Sequence, residues 1–290
     1  MEDLGKLIMC PTPLGNLGDV SMRTIEALKS ADVVLAEDTR VTGKLLSAYD
    51  IHKRLERLDE AMIGARTDEV LNRVRAGEVL AFCSDAGMPG VSDPGLRLVH
   101  AAREAHLPVE VLPGPTAVAT AYLASGTENT SFYFGGFFPR KQNDRLALLD
   151  SLKNLDAALI FYESPYRLVD TLLVLSGQFA TREASVCREL TKMHEEILRA
   201  PLPQLYDFCK KREEEGSIKG EIVIVVDGPT LREEENQHIQ ASAAAMKKAY
   251  ELVQEGMRTK DIVTTLTNEF GLTRNEAYAL AVSAVKDPRP

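Results

Sequence analysis

The sequence predicts an α/β protein: two α/β domains over residues 1–125 and 126–229, then a helical extension over 230–290. Three observations predict it. Short apolar runs alternate with amphipathic ones through the first half, the βαβα order of a largely parallel sheet covered on both faces. The turn cluster Ser125-Gly126-Thr127-Glu128-Asn129 breaks that alternation and is the expected hinge between the domains. Beyond Asp227-Gly228-Pro229 the strand patterns stop and only helical ones remain.

Taken in order, Leu7 to Cys10 reads as a strand and Thr24 to Leu28 as a helix capped by Ser21. Val33 to Ala36 is a second strand, followed by a helix near Val41 to Tyr49. Val70, Leu71 and Val74 stand at helical spacing in a helix from Thr67 to Arg75. Then come the strand Val79 to Cys83, a helix after Pro94, the strand Val109 to Leu112 and a helix opened by Pro115. In the second domain Phe132 to Phe134, Ala157 to Tyr162, Ala184 to Arg188 and Glu221 to Val226 are strands. Helices are expected near Arg145 to Leu152, Tyr166 to Leu175 and Leu202 to Arg212. The extension holds helices at Ala241 to Glu255, Thr259 to Phe270 and Thr273 to Val285, the last two with a helix-turn-helix look around Gly271.

Composition narrows the function. With 290 residues, 44% hydrophobic and 27% charged, the chain is long enough for about two domains with proper cores. Cys10, Cys83, Cys187 and Cys209 form no CxxC pair and read as reduced thiols, and the five histidines sit in no ligand spacing, so no metal site is expected. No apolar stretch reaches membrane length, and Met1 to Lys6 lacks the order of a signal peptide, so a cytoplasmic protein is expected. The net charge of −9 argues against indiscriminate grip on naked nucleic acid and leaves room for a local basic patch on a structured partner.

The chemistry is concentrated in four loops at strand ends. These are Pro11-Thr12-Pro13-Leu14-Gly15-Asn16-Leu17-Gly18-Asp19, Glu37-Asp38-Thr39-Arg40, the run Ser84 to Gly95, and Pro113-Gly114-Pro115-Thr116-Ala117. In a parallel sheet all four rim one cleft, where open α/β sheets bind ligands. The third loop, with three glycines and two prolines, brings bare backbone close to whatever lies above it, although such a loop also serves as a plain tight connection. Neither a G-x-G-x-x-G turn nor a P-loop is present. Few cations and much bare backbone suit a nucleoside-like ligand without a phosphate chain. S-adenosylmethionine is one such ligand among several.

With these loops, Gly136 to Arg140, Tyr162 to Leu168, Cys187 to Lys192 and Lys219 to Glu221 make the chain similar to the tetrapyrrole-methylase superfamily from about Leu7 to Val226. Within it the motifs most closely resemble the branch that methylates a cytidine ribose 2′-hydroxyl in 16S rRNA of the small ribosomal subunit. The resemblance implies two α/β domains of tetrapyrrole-methylase type with a C-terminal helical extension, S-adenosylmethionine as cofactor, and a homodimer. It places cofactor contacts at Leu14, Gly15, Asp85, Gly87, Met88, Pro89, Thr116 and Ala117. Cobalamin-pathway members carry Gly-Asp-Pro in the third loop where this chain has Ser84-Asp85-Ala86-Gly87, a departure that points to the RNA-modifying branch.

The remaining charged residues have a plain reading beside a functional one. Glu37 and Asp38 dress a helix N-terminus, or face the substrate. Asp85 and Asp93 are a conceivable metal pair, although no histidine accompanies them. Asp38 is the expected base, and Arg40, Arg140, Lys141, Arg145, Arg188 and Lys192 the expected RNA contacts, although a solvated helix start is the commoner outcome for a run such as Arg140, Lys141 and Arg145, and Arg188 and Lys192 share that ambiguity. The alternatives are methylation of a tetrapyrrole or protein side chain, and a catalytically silent ribosome-assembly factor.

Overall fold

The computed structural model describes residues 4–216 and 218–286. Runs such as Val33–Ala36 are buried at every position, the signature of strands covered on both faces. They build a sheet of five parallel strands: β1 (Lys6–Met9), β2 (Val33–Ala36), β3 (Arg54–Arg57), β4 (Val79–Cys83) and β5 (Val109–Val111), in the order β3-β2-β4-β1-β5. The connections are α1 (Met22–Ser30), α2 (Thr39–Ala48), α3 (Glu60–Arg75) and α4 (Leu96–Glu104), and α5 (Ala117–Ala124) follows β5.

Alternation along each strand decides which helices meet which face. Ile8, Cys10, Val34 and Ala81 point to Ile25 and Leu28 of α1 and Leu45 and Leu46 of α2. Leu7, Met9, Leu35 and Phe82 point to Ile63, Val70 and Val74 of α3 and Leu98 of α4. The chain therefore runs outward from β1 on one face and returns on the other, as right-handed crossovers require. At the adjacent strands β1 and β4 it leaves toward opposite faces, and such a reversal opens a crevice above the strand ends.

The second sheet is mixed. It contains β6 (Phe132–Phe137), β7 (Ala158–Glu163), β8 (Glu183–Arg188), β9 (Glu196–Pro201) and β10 (Ile222–Val226), in the order β6-β7-β10-β8-β9. Only β6 and β7 pair in parallel. One face packs on α6 (Gln142–Leu152), α7 (Leu168–Gln178) and α8 (Leu202–Glu214) through Leu149, Leu172 and Leu205. The other face packs Ile160, Val223 and Val225 on Val118 and Ala121 of α5. One helix at the end of the first sheet thus roofs the second.

Met1–Gly228 forms one compact unit and Pro229–Pro290 another. The second comprises α9 (Leu231–Gln254), α10 (Thr259–Phe270) and α11 (Arg274–Lys286), packed on their own core of Ala249, Leu252, Ile262, Leu266 and Ala281. No helix among the described residues is long and apolar enough to cross a membrane.

Four elements differ from the sequence reading. The strands β3 and β9 were not expected, because both are edge strands rich in charge. Glu56 of β3 is held by Arg66 and Arg73, and Arg199 of β9 by Glu183 and Asp227. Helix α3 starts at Glu60 rather than Thr67, because Asp59 caps it by accepting from the Met62 amide at 2.9 Å. Helix α9 starts at Leu231 rather than Ala241, capped by Thr230.

One buried cation bolts the second sheet together. Arg182 is 1% exposed, donates to the Lys153 carbonyl at 2.5 Å and to the Asp227 carbonyl at 3.5 Å, and stacks 4.0 Å from the Phe179 ring centroid. Arg182→Ala strands both carbonyls and opens a cavity, so chemical denaturation should show a loss of about 3–5 kcal/mol. A loss under about 1 kcal/mol would mean that the contacts hold nothing.

Candidate functional site

The crevice predicted by the strand reversal is present. It is a cleft of about 840 Å³ including its open mouth, of a size suited to a nucleoside-like ligand. Its floor comes from Leu14 of the first loop, Ala86 to Met88 and Val91 to Asp93 of the third, and Thr116 and Ala117 of the fourth. Its roof comes from the second sheet: Phe137, Tyr162, Glu163, Cys187, Leu190 and Glu221 to Val223. A one-residue bulge in β6 between Phe134 and Phe137 re-aims Phe137 toward the cleft, where it meets Tyr162 edge-on.

The floor is rigid because its loops are sewn together. Thr12 and Gly87 exchange backbone hydrogen bonds at 2.9 and 3.0 Å, joining the first loop to the third. Gly87 has φ +77°, and a Cβ there would lie 3.0 Å from Leu14 Cδ2 and 3.5 Å from the Pro115 carbonyl oxygen. A side chain would both strain this turn and fill the floor. The Asp85 amide donates to Glu37 at 3.2 Å and the Asp85 carboxylate accepts from the Asp38 amide at 3.0 Å, which ties the second loop to the third.

The electrostatics are acidic. Burial pushes Glu37 and Asp85 above the ordinary carboxylate range. Asp93 is pushed up to about 7, first by burial and then by the nearby Glu37, Asp85 and Glu221 carboxylates. Burial, with Asp93 adding to it, raises Tyr162 to about 12, so its phenol stays protonated. The Glu163 carboxylate is spent on Arg167, Thr171 and the Ser164 amide, at 2.5, 2.6 and 2.7 Å, and serves the fold. Among the described residues no group of three or more His, Cys, Asp or Glu is placed to hold a metal ion.

Of the expected cofactor residues, Leu14, Gly87, Met88, Thr116 and Ala117 line the cleft. Pro89 is not in its wall, and Gly15 and Asp85 line a second hollow between the first loop and α2. Gly15 is needed for another reason: a side chain there would collide with the aliphatic stem of Lys192. Asp38 does not have the chemistry of a base. Its carboxylate accepts from Arg40 at 2.5 Å, and that pairing lowers it to about 2.

Most expected RNA contacts are occupied by partners within the protein. Arg40 is held by Asp38. Arg145 is 5% exposed, donates to the Pro139 carbonyl at 2.8 Å and to Asp170 at 3.3 Å, and lies over the Phe138 ring, so it belongs to the fold. Arg188 pairs with Glu196, and Lys192 with Glu189 and Glu221. Arg140 and Lys141 are exposed and make no ion pair among the described residues. The sequence reading missed Asp93 as anything but a metal candidate, and missed Tyr162 and Glu221. Both stretches were marked by their motifs, but nothing in a motif shows which side chain turns inward.

Residues 6–206 match the family model described as Tetrapyrrole (Corrin/Porphyrin) Methylases. A protein of Halalkalibacterium halodurans named ribosomal RNA small subunit methyltransferase I is 37% identical over 96% of this chain and 94% of its own. Proteins of the same name from Escherichia coli O157:H7 and Bacillus subtilis are 36% and 33% identical, over 96% of this chain and 95% and 94% of theirs. Among solved structures, diphthine synthase aligns with a TM-score of 0.61 at 14% identity, over 77% of this chain and 90% of that one. A uroporphyrin-III-C-methyltransferase from Thermus thermophilus aligns at 0.55 and 21% identity, over 77% and 94%, and these two likenesses speak for the fold. The chain belongs to the tetrapyrrole methylase family, and its methyl donor is S-adenosylmethionine.

Proposed function

We propose that this protein methylates the ribose 2′-hydroxyl of a cytidine in 16S rRNA of the small ribosomal subunit. The RNA substrate is supported by relatives named as small-subunit rRNA methyltransferases, alike along nearly the whole chain. The observation that carries the chemistry is Asp93, one carboxyl in the cleft wall held near neutrality. The cytidine and the 2′-position follow from the motif resemblance, and the reading makes the protein cytoplasmic, where ribosomal subunits are. The homodimer implied by the same resemblance belongs to the proposal. Exposed Leu123 and Phe132 are apolar surface of the kind that it would cover.

The cleft fits the cofactor. The bare Gly87 backbone leaves room at the floor, apolar Leu14, Val91 and Leu190 suit an adenosine body, and the surrounding carboxylates complement a sulfonium. When bound, S-adenosylmethionine supplies a methyl group already activated by its cationic sulfur. What the chain must add is orientation, exclusion of water and a place for one proton. Phe137 and Tyr162 cover the cleft from the second sheet and limit water. Asp93 accepts the proton that the hydroxyl loses. Its raised pKa suits this task, because a carboxyl near 7 is a stronger base than one near 4 and is still substantially ionised at neutral pH.

A branched side chain at position 87 should remove the cofactor. Calorimetry on folded Gly87→Val is expected to show affinity for S-adenosylmethionine reduced at least roughly 100-fold, from backbone strain plus occlusion. Near-normal affinity would take the third loop out of the site.

Asp93→Asn should lower kcat by about 10²- to 10⁴-fold, the usual worth of a positioned base. In the wild type kcat/KM for S-adenosylmethionine, which reports the cofactor-free protein, is expected to fall as pH drops through about 7, since protonated Asp93 cannot accept the proton. That inflection should vanish in the variant, whereas Asp38→Asn should keep both rate and profile. A surviving inflection in Asp93→Asn would assign the base elsewhere.

Substrate preference tests the RNA reading. At a net charge of −9, with most candidate cations paired, the protein should methylate assembled small subunits far faster than protein-free rRNA. Removing Arg140 and Lys141 should weaken binding to the subunit and leave cofactor affinity intact. Equal rates on both substrates would contradict recognition of an assembled partner.

A further inference from the structure

A second hollow, about 530 Å³ with its mouth, lies between the first loop and the first turns of α2. Two hydroxyls in its wall stand out. Thr42 is 2% exposed and Ser84 0%, and neither side-chain oxygen has a hydrogen-bond partner. Leaving a buried hydroxyl unpaired costs stability, and native interiors rarely do so. Five such side-chain atoms occur among the described residues, and two of them fall in this one hollow. The neighbouring Thr12 hydroxyl is satisfied, donating to the Ser84 carbonyl at 3.2 Å, so the loop is well built around the two that are not.

The rest of the wall joins apolar surface to one cation. Leu17 and Val41, both exposed apolar residues, stand in it, and the exposed Lys44 makes no ion pair among the described residues. The hollow and the cofactor cleft are built from the same two loops. Leu14 and Ala86 line the cleft, while their neighbours Gly15 and Asp85 line the hollow. We propose that this hollow receives one unstacked base of single-stranded substrate RNA, with Thr42 and Ser84 reading its edge and Lys44 taking its phosphate. Splayed bases bound by their hydrogen-bonding edges are the usual mode of sequence-specific RNA recognition. A nucleotide seated there lies next to the loops that carry the cofactor site. The inference rests on the RNA-methylating reading above and names where that substrate is read.

The experiment compares Thr42→Val, Ser84→Ala and Lys44→Ala with wild type on small subunits, with S-adenosylmethionine affinity measured alongside. Each lost hydroxyl should raise the KM for subunits roughly three- to tenfold, the worth of one neutral hydrogen bond, with cofactor affinity within about twofold. Lys44→Ala should reduce the salt dependence of subunit binding by about one phosphate contact. Thr42→Val should also hold or raise the Tm of the free protein, because it removes an unpaired buried hydroxyl, whereas a structural hydroxyl would lower it. Unchanged KM in both hydroxyl variants, or loss of cofactor affinity in both, would overturn the proposal. If the wild type methylates no RNA, the reading of the cleft fails, and binding of cytidine 5′-monophosphate by saturation-transfer NMR decides the hollow. Binding that Thr42→Val abolishes keeps it a nucleotide site; no binding to wild type removes it.

Discussion

The divergence of the chain at β1 and β4 is the constraint on which the rest of the molecule depends. Neighbouring parallel strands send their next helices to opposite faces, α1 to one and α4 to the other, so no backbone crosses the gap above them. A gap of that kind would be loose if each loop stood alone. The exchanged hydrogen bonds between Thr12 and Gly87 close it into one surface, and the Asp85 bonds to the Glu37–Asp38 corner extend that surface to β2. Helix α5 then leaves the fourth loop and becomes the face on which the second sheet packs. Floor and roof of the cleft are thus fixed by one continuous set of contacts.

The same closure creates the electrostatic problem that the site exploits. Partly burying Asp93 in the cleft, with Glu37 and Asp85 partly buried beside it, costs stability, since each loses water and each repels the others. Asp93 shows the consequence. A folded-state value raised from 3.8 to about 7 means stability that is present below about pH 4 and is lost as pH rises through 7. A cation among these groups relieves the repulsion and draws Asp93 back toward its ionised form. The protein therefore favours a positively charged ligand over a neutral one of the same shape, and most strongly above pH 7.

What could be read from the sequence follows from what each signal depends on. The central strands were legible because burial on both faces requires uninterrupted apolar runs, and the four loops because Gly and Pro mark sharp turns after them. Edge strands β3 and β9 were not, because they carry Arg54, Glu56, Arg57 and Arg199, which look like loop residues until their partners are known. The cofactor floor was legible as a set of loops, whereas the roof depends on which strand ends of a mixed sheet face back. The bulge that turns Phe137 inward rests on a register that one chain alone does not reveal.

Charge was the signal most easily misread, and for a physical reason. A run of basic residues shows how many cations exist, but nucleic acid responds only to those with no carboxylate already beside them. Arg145 and Lys192 sit in motifs that look ready for RNA, yet one is enclosed by Pro139, Asp170 and Phe138 and the other bridges Glu189 and Glu221. These pairs do mechanical work: Lys192 carries the second sheet's loop across Gly15 of the first. The motif cations that pair inside the protein are not available to phosphates, so selectivity for a substrate must come from shape and from a small number of placed groups such as the unpaired Arg140 and Lys141.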